Sequence, residues 1–477
     1  MSSRYVVNQT GVFNGRELSY EFVLECIQVA DSSGRPAGTA SVFSYIADLP
    51  VEEQCTRPVV FAFNGGPGSA SLYLHLGGIG PKRVAIPTDL KEELFAPHFV
   101  LESSQHSLLD VADIVFIDPI NTGYGRGAPD ADLSEIYSVE GDARYFSNII
   151  RHWINNAGRW NAPKYILGES YGTHRAVFLA DILLNVHSIA LDGVILVGQA
   201  INVQETLDRH GNLAGAIAGL EFKTATAWFH GKGAQDFSSV EDAVKAATAY
   251  SNGEFASALL KGNQISSDEL TRVAKTLEGF TGIDANVYIK NRLWLTKGAF
   301  LKQLLESNCK TLGSLDSRYT GRVCDAAAGE SDIEPSVERT KPGFVACGAQ
   351  YFGAAGFPLD DEYRLSDSTA AKQWEWREAN ARGFMRFGKP SPFETYPYVS
   401  RLTQFLKQVE HARVFIATGI YDSLTTVGAA EHLLRHYAIP ADRVASHHYP
   451  AGHMMYIDPN ACRQLNDDLR SFICPKL

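Results

Sequence analysis

The feature that most constrains this chain is the five-residue turn Gly168-Glu169-Ser170-Tyr171-Gly172, set between two segments of different periodicity. Lys164-Tyr165-Ile166-Leu167 before it is a short apolar run that reads as a buried strand, and residues 176–184 after it read as a helix. GxSxG alone arises by chance in a Gly-rich chain. Between a strand and a helix it is the pattern of a sharp turn that projects the serine hydroxyl. Such a turn is tight, so the positions two before and two after the serine must be small, and glycines there remove the clash. The helix that follows aims its N-terminal N–H groups at the same point, where negative charge would develop.

The surroundings extend the pattern. Pro58-Val59-Val60-Phe61-Ala62-Phe63 runs into the Gly-rich turn Asn64-Gly65-Gly66-Pro67-Gly68, and Asp113-Ile114-Val115-Phe116-Ile117 stops at Asp118-Pro119. Tyr145, Phe146, Ile149, Ile150, Trp153 and Ile154 recur at helical spacing, and Asp192-Gly193-Val194-Ile195-Leu196-Val197 is a fourth strand. This alternation predicts an α/β chain with a mainly parallel sheet flanked by helices, and the serine turn within it points to the α/β-hydrolase fold. From about residue 203 the pattern changes. Residues 238–250 and 267–277 read as helices and 317–342 as irregular loop, before strands return at 413–417 and 443–448. The expected organisation is a catalytic domain of residues 1–202 and 366–477, split by a mainly helical cap insertion over 203–365. The cap would sit above the strand ends, where open α/β sheets place their ligands.

Composition narrows the classes of function. A formal net charge of -11 argues against a phosphate-binding surface and so against nucleic acid as a partner. No run of eighteen apolar residues occurs, which argues against a membrane span. The seven cysteines are odd in number and widely spaced, with no CxxC, so neither a disulfide framework nor a zinc site is expected. No metal and no cofactor are expected, because no His/Asp/Glu/Cys cluster has ligand spacing. The first ten residues lack an apolar leader, and with reduced thiols this points to a cytoplasmic location, with a secreted mature form whose signal has been removed as the weaker alternative.

A serine hydroxyl needs a base. His453, in Gly452-His453-Met454, follows the last strand and precedes Asp458, a candidate start for the last helix. His447 and His448 are rivals that look like strand residues. The third member must hold the imidazole tautomer. Asp422, just past the strand ending at Gly419, takes that place, with Asp442 as a weaker rival in a surface turn. The order Ser170, Asp422, His453 is the one this fold uses. The oxyanion needs unobstructed backbone donors, here assigned to the N–H groups of Gly66 and Tyr171. The Gly-rich loop is no P-loop, since no Lys-Ser/Thr follows it.

Taken together, Asn64-Gly65-Gly66-Pro67-Gly68-Ser69, Gly168-Glu169-Ser170-Tyr171-Gly172, the aspartate after Gly419 and Gly452-His453-Met454 resemble the serine carboxypeptidase family of the carboxypeptidase Y and cathepsin A type. Asp118-Pro119 with Thr122-Gly123-Tyr124 resembles the loop after that family's next core strand. Thr226-Ala227-Trp228-Phe229-His230-Gly231 fits its bacterial-type branch, which has no signal peptide. The resemblance implies removal of single residues from peptide C-termini through an acyl-enzyme. It also implies that Asn64, Gly65 and Glu169 bind the substrate's free carboxylate, and that chains pair into homodimers. A carboxylate beside a bound carboxylate is favourable only if one of them is protonated, so peptide cleavage is expected to be stronger in mild acid.

This chain departs from the family pattern at several points. Ala62 stands where better-studied members carry a tryptophan, and Gly78 where they carry a second glutamate. Family cysteines are replaced by Ser69 and by Leu424 or its neighbours. The alternative to a carboxypeptidase is therefore an acyltransferase or esterase using the same three residues on an acyl-ester substrate. Met454, Tyr124, Tyr171 and Phe229 are candidate apolar pocket residues.

Overall fold

The computed structural model describes residues 4–87, 90, 98–322, 334–357, 362–376 and 398–475. Among them one nine-stranded sheet forms the centre. Its strands are β1 (Arg4–Phe13), β2 (Arg16–Ala30), β3 (Pro36–Ala47), β4 (Val59–Phe63), β5 (Asp113–Ile117), β6 (Lys164–Glu169), β7 (Gly193–Val197), β8 (Arg413–Gly419) and β9 (Val444–Tyr449). They lie in the order β1-β2-β3-β5-β4-β6-β7-β8-β9. From β5 to β9 every neighbouring pair is parallel. β1, β2 and β3 form an antiparallel meander added to β5, which the strand–helix alternation does not predict. Asn14 and Gly15, at φ 48° and 78°, close its first hairpin, as an Asn-Gly pair does when both central residues need positive φ.

The parallel strands are buried on both faces. In β4, Val59, Phe61 and Phe63 enter one core while Val60 and Ala62 enter the other. In β5, Val115 and Ile117 oppose Ile114 and Phe116. Two-sided burial explains why these strands read as continuous apolar runs. The first face is covered by α1 (Val139–Ala157) and α2 (Tyr171–Asn185), together with helices further along the chain.

In the middle of the chain, α3 (Leu220–Phe229), α4 (Val240–Tyr250) and α5 (Ser267–Thr281) share an apolar cluster with Leu312 that contains no residue of the nine-stranded sheet. A short hairpin pairs Lys310–Leu312 with Thr320–Arg322 and leaves residues 313–319 as its loop.

Next comes α6 (Pro335–Ala354), which corrects the irregular loop expected at 317–342 over its last eight residues; residues 323–333 of that stretch lie outside the described ones. Pro335 suits a first helical turn. Pro342 in the helix interior costs a backbone hydrogen bond. Burial of Phe344, Cys347 and Phe352 against the second sheet face offsets that cost, so packing overrides local propensity. Beyond it, α7 (Tyr398–Gln408) and α8 (Val427–His436) add to the first face and α9 (Pro459–Ile473) to the second. Because β4, β6, β8 and β9 run the same way, the loops that follow them open at one edge of the sheet. Those loops carry Asn64–Gly66, Ser170, Asp422 and His453.

Candidate active site

Ser170 joins β6 to α2 with φ 58° and ψ -125°. A non-glycine residue at positive φ carries strain of about 1–3 kcal/mol and persists only where its neighbours over-determine it. They do so here. A Cβ on Gly168 would stand 2.1 Å from the carbonyl oxygen of Gly172, and one on Gly172 would stand 3.0 Å from the carbonyl oxygen of Phe63. The Ser170 N–H donates to the Val197 carbonyl at 2.9 Å, tying the turn to the end of β7. The glycines of the motif are thus a steric requirement, as its spacing predicts.

On the far side of the turn lies the Gly-rich loop. A Cβ on Gly65 would fall 2.6 Å from the Tyr171 nitrogen and 3.0 Å from that of Gly172. Only bare backbone fits there, and it brings the Gly66 segment beside the Tyr171 amide. The loop is held from behind by Arg175 on α2, a fully buried guanidinium that donates to the Asn64 carbonyl at 2.9 Å and to Asp142 at 2.7 Å. Tyr171 donates to the same Asp142 oxygen at 2.9 Å. No motif or spacing marks Arg175 in the sequence; its signal is a basic residue on the buried face of the helix, five residues after the serine.

Asp422 and His453 meet. His453 Nδ1 lies 2.6 Å from Asp422 Oδ2, and both side chains are buried. The other Asp422 oxygen accepts from the N–H groups of Leu424 at 2.7 Å and Thr425 at 3.2 Å, while the Thr425 hydroxyl donates to Oδ2. A carboxylate so bound is fixed in direction. Burial opposes the charged imidazolium, but the Asp422 carboxylate and its hydrogen bond, helped by Glu169 and Glu334, outweigh it and raise the His453 pKa. His453 Nε2 is buried and makes no hydrogen bond, so none joins it to the Ser170 hydroxyl.

Gly198, at φ 56°, links the two halves. A Cβ there would stand 2.8 Å from His453 Cε1, and Gly198 directly follows Val197, the acceptor for Ser170 N–H. Imidazole and serine therefore flank the same end of β7. The rivals sit elsewhere. His447 and His448 are β9 residues lying 3.4 Å from Asp468 and 3.7 Å from Glu431 respectively, and Asp442 lies in a short turn before β9.

Beside the serine is a second polar group of side chains. The carboxylate of Glu169, buried, accepts from the Tyr456 hydroxyl at 2.7 Å, and Asn64 Nδ2 donates to that hydroxyl at 3.4 Å. Burial pushes the Glu169 carboxyl up to about 7 against the opposing pull of His453, Tyr456 and Asn64. Tyr456 lies three residues past His453, and no motif marks it in the sequence. Gly78 faces its ring, with a Cβ there 3.5 Å from Tyr456 Cδ1, and Ala62 is buried within β4. Of the expected pocket residues, Met454, Tyr124 and Tyr171 are core, while Phe229 is half exposed against Tyr421.

A model of the serine carboxypeptidase family matches residues 39–308, more than half of the chain. The chain belongs to the serine carboxypeptidase family. That match contains Asn64, Glu169 and Ser170; Asp422 and His453 lie beyond it. Two Arabidopsis thaliana proteins are similar over a shorter stretch. Serine carboxypeptidase-like 33 is 27% identical over 150 residues, 30% of this chain and 29% of its own. Serine carboxypeptidase-like 29 is 29% identical over 140 residues, 28% of this chain and 26% of its own. The chain thus spans less than a third of these relatives' length. The crystal structure of Kex1(delta)p, a prohormone-processing carboxypeptidase from Saccharomyces cerevisiae, superposes with a TM-score of 0.56 at 13% identity. The superposition covers 94% of this chain and 91% of that one, and it shows the shared fold.

This serine carboxypeptidase-family chain accordingly has the α/β-hydrolase fold. The expected cytoplasmic location is corrected by the same membership, because the relatives, the yeast enzyme and the plant proteins among them, are secreted or vacuolar. The expectation rested on the composition of the first ten residues and on cysteine spacing.

Proposed function

We propose that this chain is a serine-type carboxypeptidase that releases C-terminal residues from peptides through an acyl-enzyme on Ser170. In this reading His453 takes the Ser170 proton as the hydroxyl attacks the scissile carbonyl and returns it to the leaving amine; water then hydrolyses the ester. Asp422 holds the imidazole tautomer and stabilises the imidazolium. The amides of Gly66 and Tyr171 receive the oxyanion. The helices α3 to α5, which share their own apolar cluster, act as the cap over the site; α6, packed on the second sheet face, does not.

The observation that supports an exopeptidase over a plain esterase is Glu169. It is a carboxyl next to the nucleophile, buried, and held by burial near the protonated state at neutral pH, with Tyr456 and Asn64 beside it. A neutral Glu169 donates to a substrate carboxylate, whereas an ionised one repels it. Below about pH 7 it is protonated, so the KM for a blocked dipeptide with a free C-terminus should be lowest there and rise through pH 7. The amidated dipeptide should show no such rise, and Glu169→Gln should flatten the free-acid curve. Equal turnover of acid and amide at every pH would remove the exopeptidase reading. A fluorophosphonate should label the wild type, and Ser170→Ala should abolish labelling and lower kcat by up to about 10⁶-fold.

The alternative is an acyltransferase or esterase using the same three residues. It is favoured by Ala62 and Gly78, which offer a carboxylate no polar side chain.

A further inference from the structure

The hairpin loop of residues 313–319 touches both loops that carry the candidate base and its aspartate. The Ser317 N–H donates to the Tyr421 carbonyl at 3.1 Å, and the Ser423 N–H and hydroxyl donate to the Ser314 carbonyl at 3.2 and 2.7 Å. These bonds grip Asp422 from both sides. On the other loop, the His453 N–H donates to the Leu315 carbonyl at 2.6 Å. Arg318 donates to the Pro450 carbonyl at 2.8 Å and lies 3.3 Å from Asp458, the cap of α9. A Cβ on Gly452 would fall 2.3 Å from Asp316 Cβ, so the glycine before the histidine makes room for this hairpin.

The hairpin is itself fixed from the insertion side. Glu334 accepts from Ser314 N–H at 2.7 Å and from its hydroxyl at 2.6 Å. On α3, Thr226 Oγ1 lies 2.7 Å from Ser317 Oγ, and just past the end of that helix His230 Nε2 donates to the Ser317 carbonyl at 2.8 Å. Thr226 and His230 belong to the Thr226–Gly231 motif, which no step of the proposed reaction uses. Leu312, at the root of the hairpin, is in the apolar cluster of α3, α4 and α5.

We infer that the 313–319 hairpin is a positioning clamp. It sets the mutual placement of Asp422 and His453 and ties that placement to the helical insertion through Thr226 and His230. The inference rests on the proposed roles of Ser170, Asp422 and His453. An imidazole displaced by about 1 Å costs on the order of 100-fold in rate while ground-state binding is untouched. None of Arg318, Ser423 or His230 takes part in the proposed chemistry, so their effect should appear in kcat and not in KM.

The test is steady-state hydrolysis of a small activated ester, with the rate of fluorophosphonate labelling of Ser170, in Arg318→Met, Arg318→Lys, Ser423→Ala and His230→Ala. Arg318→Met should lose about 100-fold in kcat and in labelling rate with KM within about twofold. Arg318→Lys should recover part of the loss, because an ammonium still reaches the Pro450 carbonyl. Ser423→Ala and His230→Ala each delete one hydrogen bond and should lose about 3- to 10-fold in kcat. If Arg318→Met does not fold, these two variants decide. Folded variants with wild-type kcat and labelling rates, or losses confined to KM, overturn the clamp. An unlabelled wild type instead overturns the nucleophile assignment, so the two failures are distinct.

Discussion

The two sides of the candidate site are held by different means. The serine side has a local lock: Ser170 is fixed by Gly168 and Gly172 within its own turn, with Val197 at the end of the neighbouring strand and Gly65 packed across it as the contacts from further away. The histidine side is assembled from far apart. His453 depends on Asp422 and Thr425 about thirty residues earlier, on Gly198 more than two hundred residues earlier, and on Leu315 in the insertion. A local device tolerates change elsewhere but not within itself. A distributed one is vulnerable at many points, with a smaller loss at each.

The sharpest way to break this contrast is Gly168→Ala. The new methyl would have to stand 2.1 Å from the Gly172 carbonyl oxygen, and that atom is backbone, with no side chain to swing aside. The turn must open and β6 must shift. Overpacking of this kind costs about 3 kcal/mol or more, and it removes the serine from its position outright. The expected outcome is no measurable hydrolysis and a lowered thermal midpoint, read by activity and by thermal unfolding. An active Gly168→Ala protein of unchanged stability would show that the turn is not sterically locked.

Gly198→Ala tests the distributed side. Its φ of 56° costs an alanine about 1–2 kcal/mol, and its Cβ would stand 2.8 Å from His453 Cε1. The imidazole is a side chain and can move, so the fold should survive while the ring is displaced. The expected loss is about 100-fold in kcat with little change in KM. A fall in stability equal to that of Gly168→Ala would show that this side too is locked by backbone sterics, and the contrast would fail.

The same difference explains what could be read from the chain. The elbow, the parallel strands and the two glycine turns are legible because each depends on residues close in sequence: strand, turn and helix announce themselves in periodicity and in glycine. Asp422 and His453 are legible as residues at strand ends in the order the fold uses. Their partners are not, since nothing near Ser314, Leu315 or Arg318 in sequence marks them as neighbours of residues more than one hundred positions away. The antiparallel edge was partly legible. Asn14-Gly15 is a hairpin signal, and Leu18, Tyr20, Phe22 and Leu24 alternate toward one core. The apolar pattern then changes face, with Ile27 and Val29 in the other core and a register shift after Val29, which hides the strand's length. The helix at 335–354 was masked by Pro342, whose cost is offset only by contacts with the distant sheet face.

The mildest test concerns Tyr456, where the two sides meet. It comes from the histidine loop, and its hydroxyl donates to Glu169 beside the serine at 2.7 Å. Burial raises the Glu169 carboxyl to about 7, and this hydrogen bond is among the forces pulling it back down by stabilising the ionised form. Tyr456→Phe keeps the ring against Gly78 and removes only the donor. The sign follows directly: without the bond the ionised form is less stable, the pKa rises, and Glu169 stays protonated to higher pH. The pH at which KM for a free-acid dipeptide begins to climb should therefore move upward, while kcat on the amidated compound stays near the wild-type value. The pH dependence of the acid-to-amide ratio of kcat/KM measures this without reference to absolute rates. A downward or absent shift would mean that the phenol does not govern Glu169, and that the histidine loop acts on the serine side through the imidazole alone.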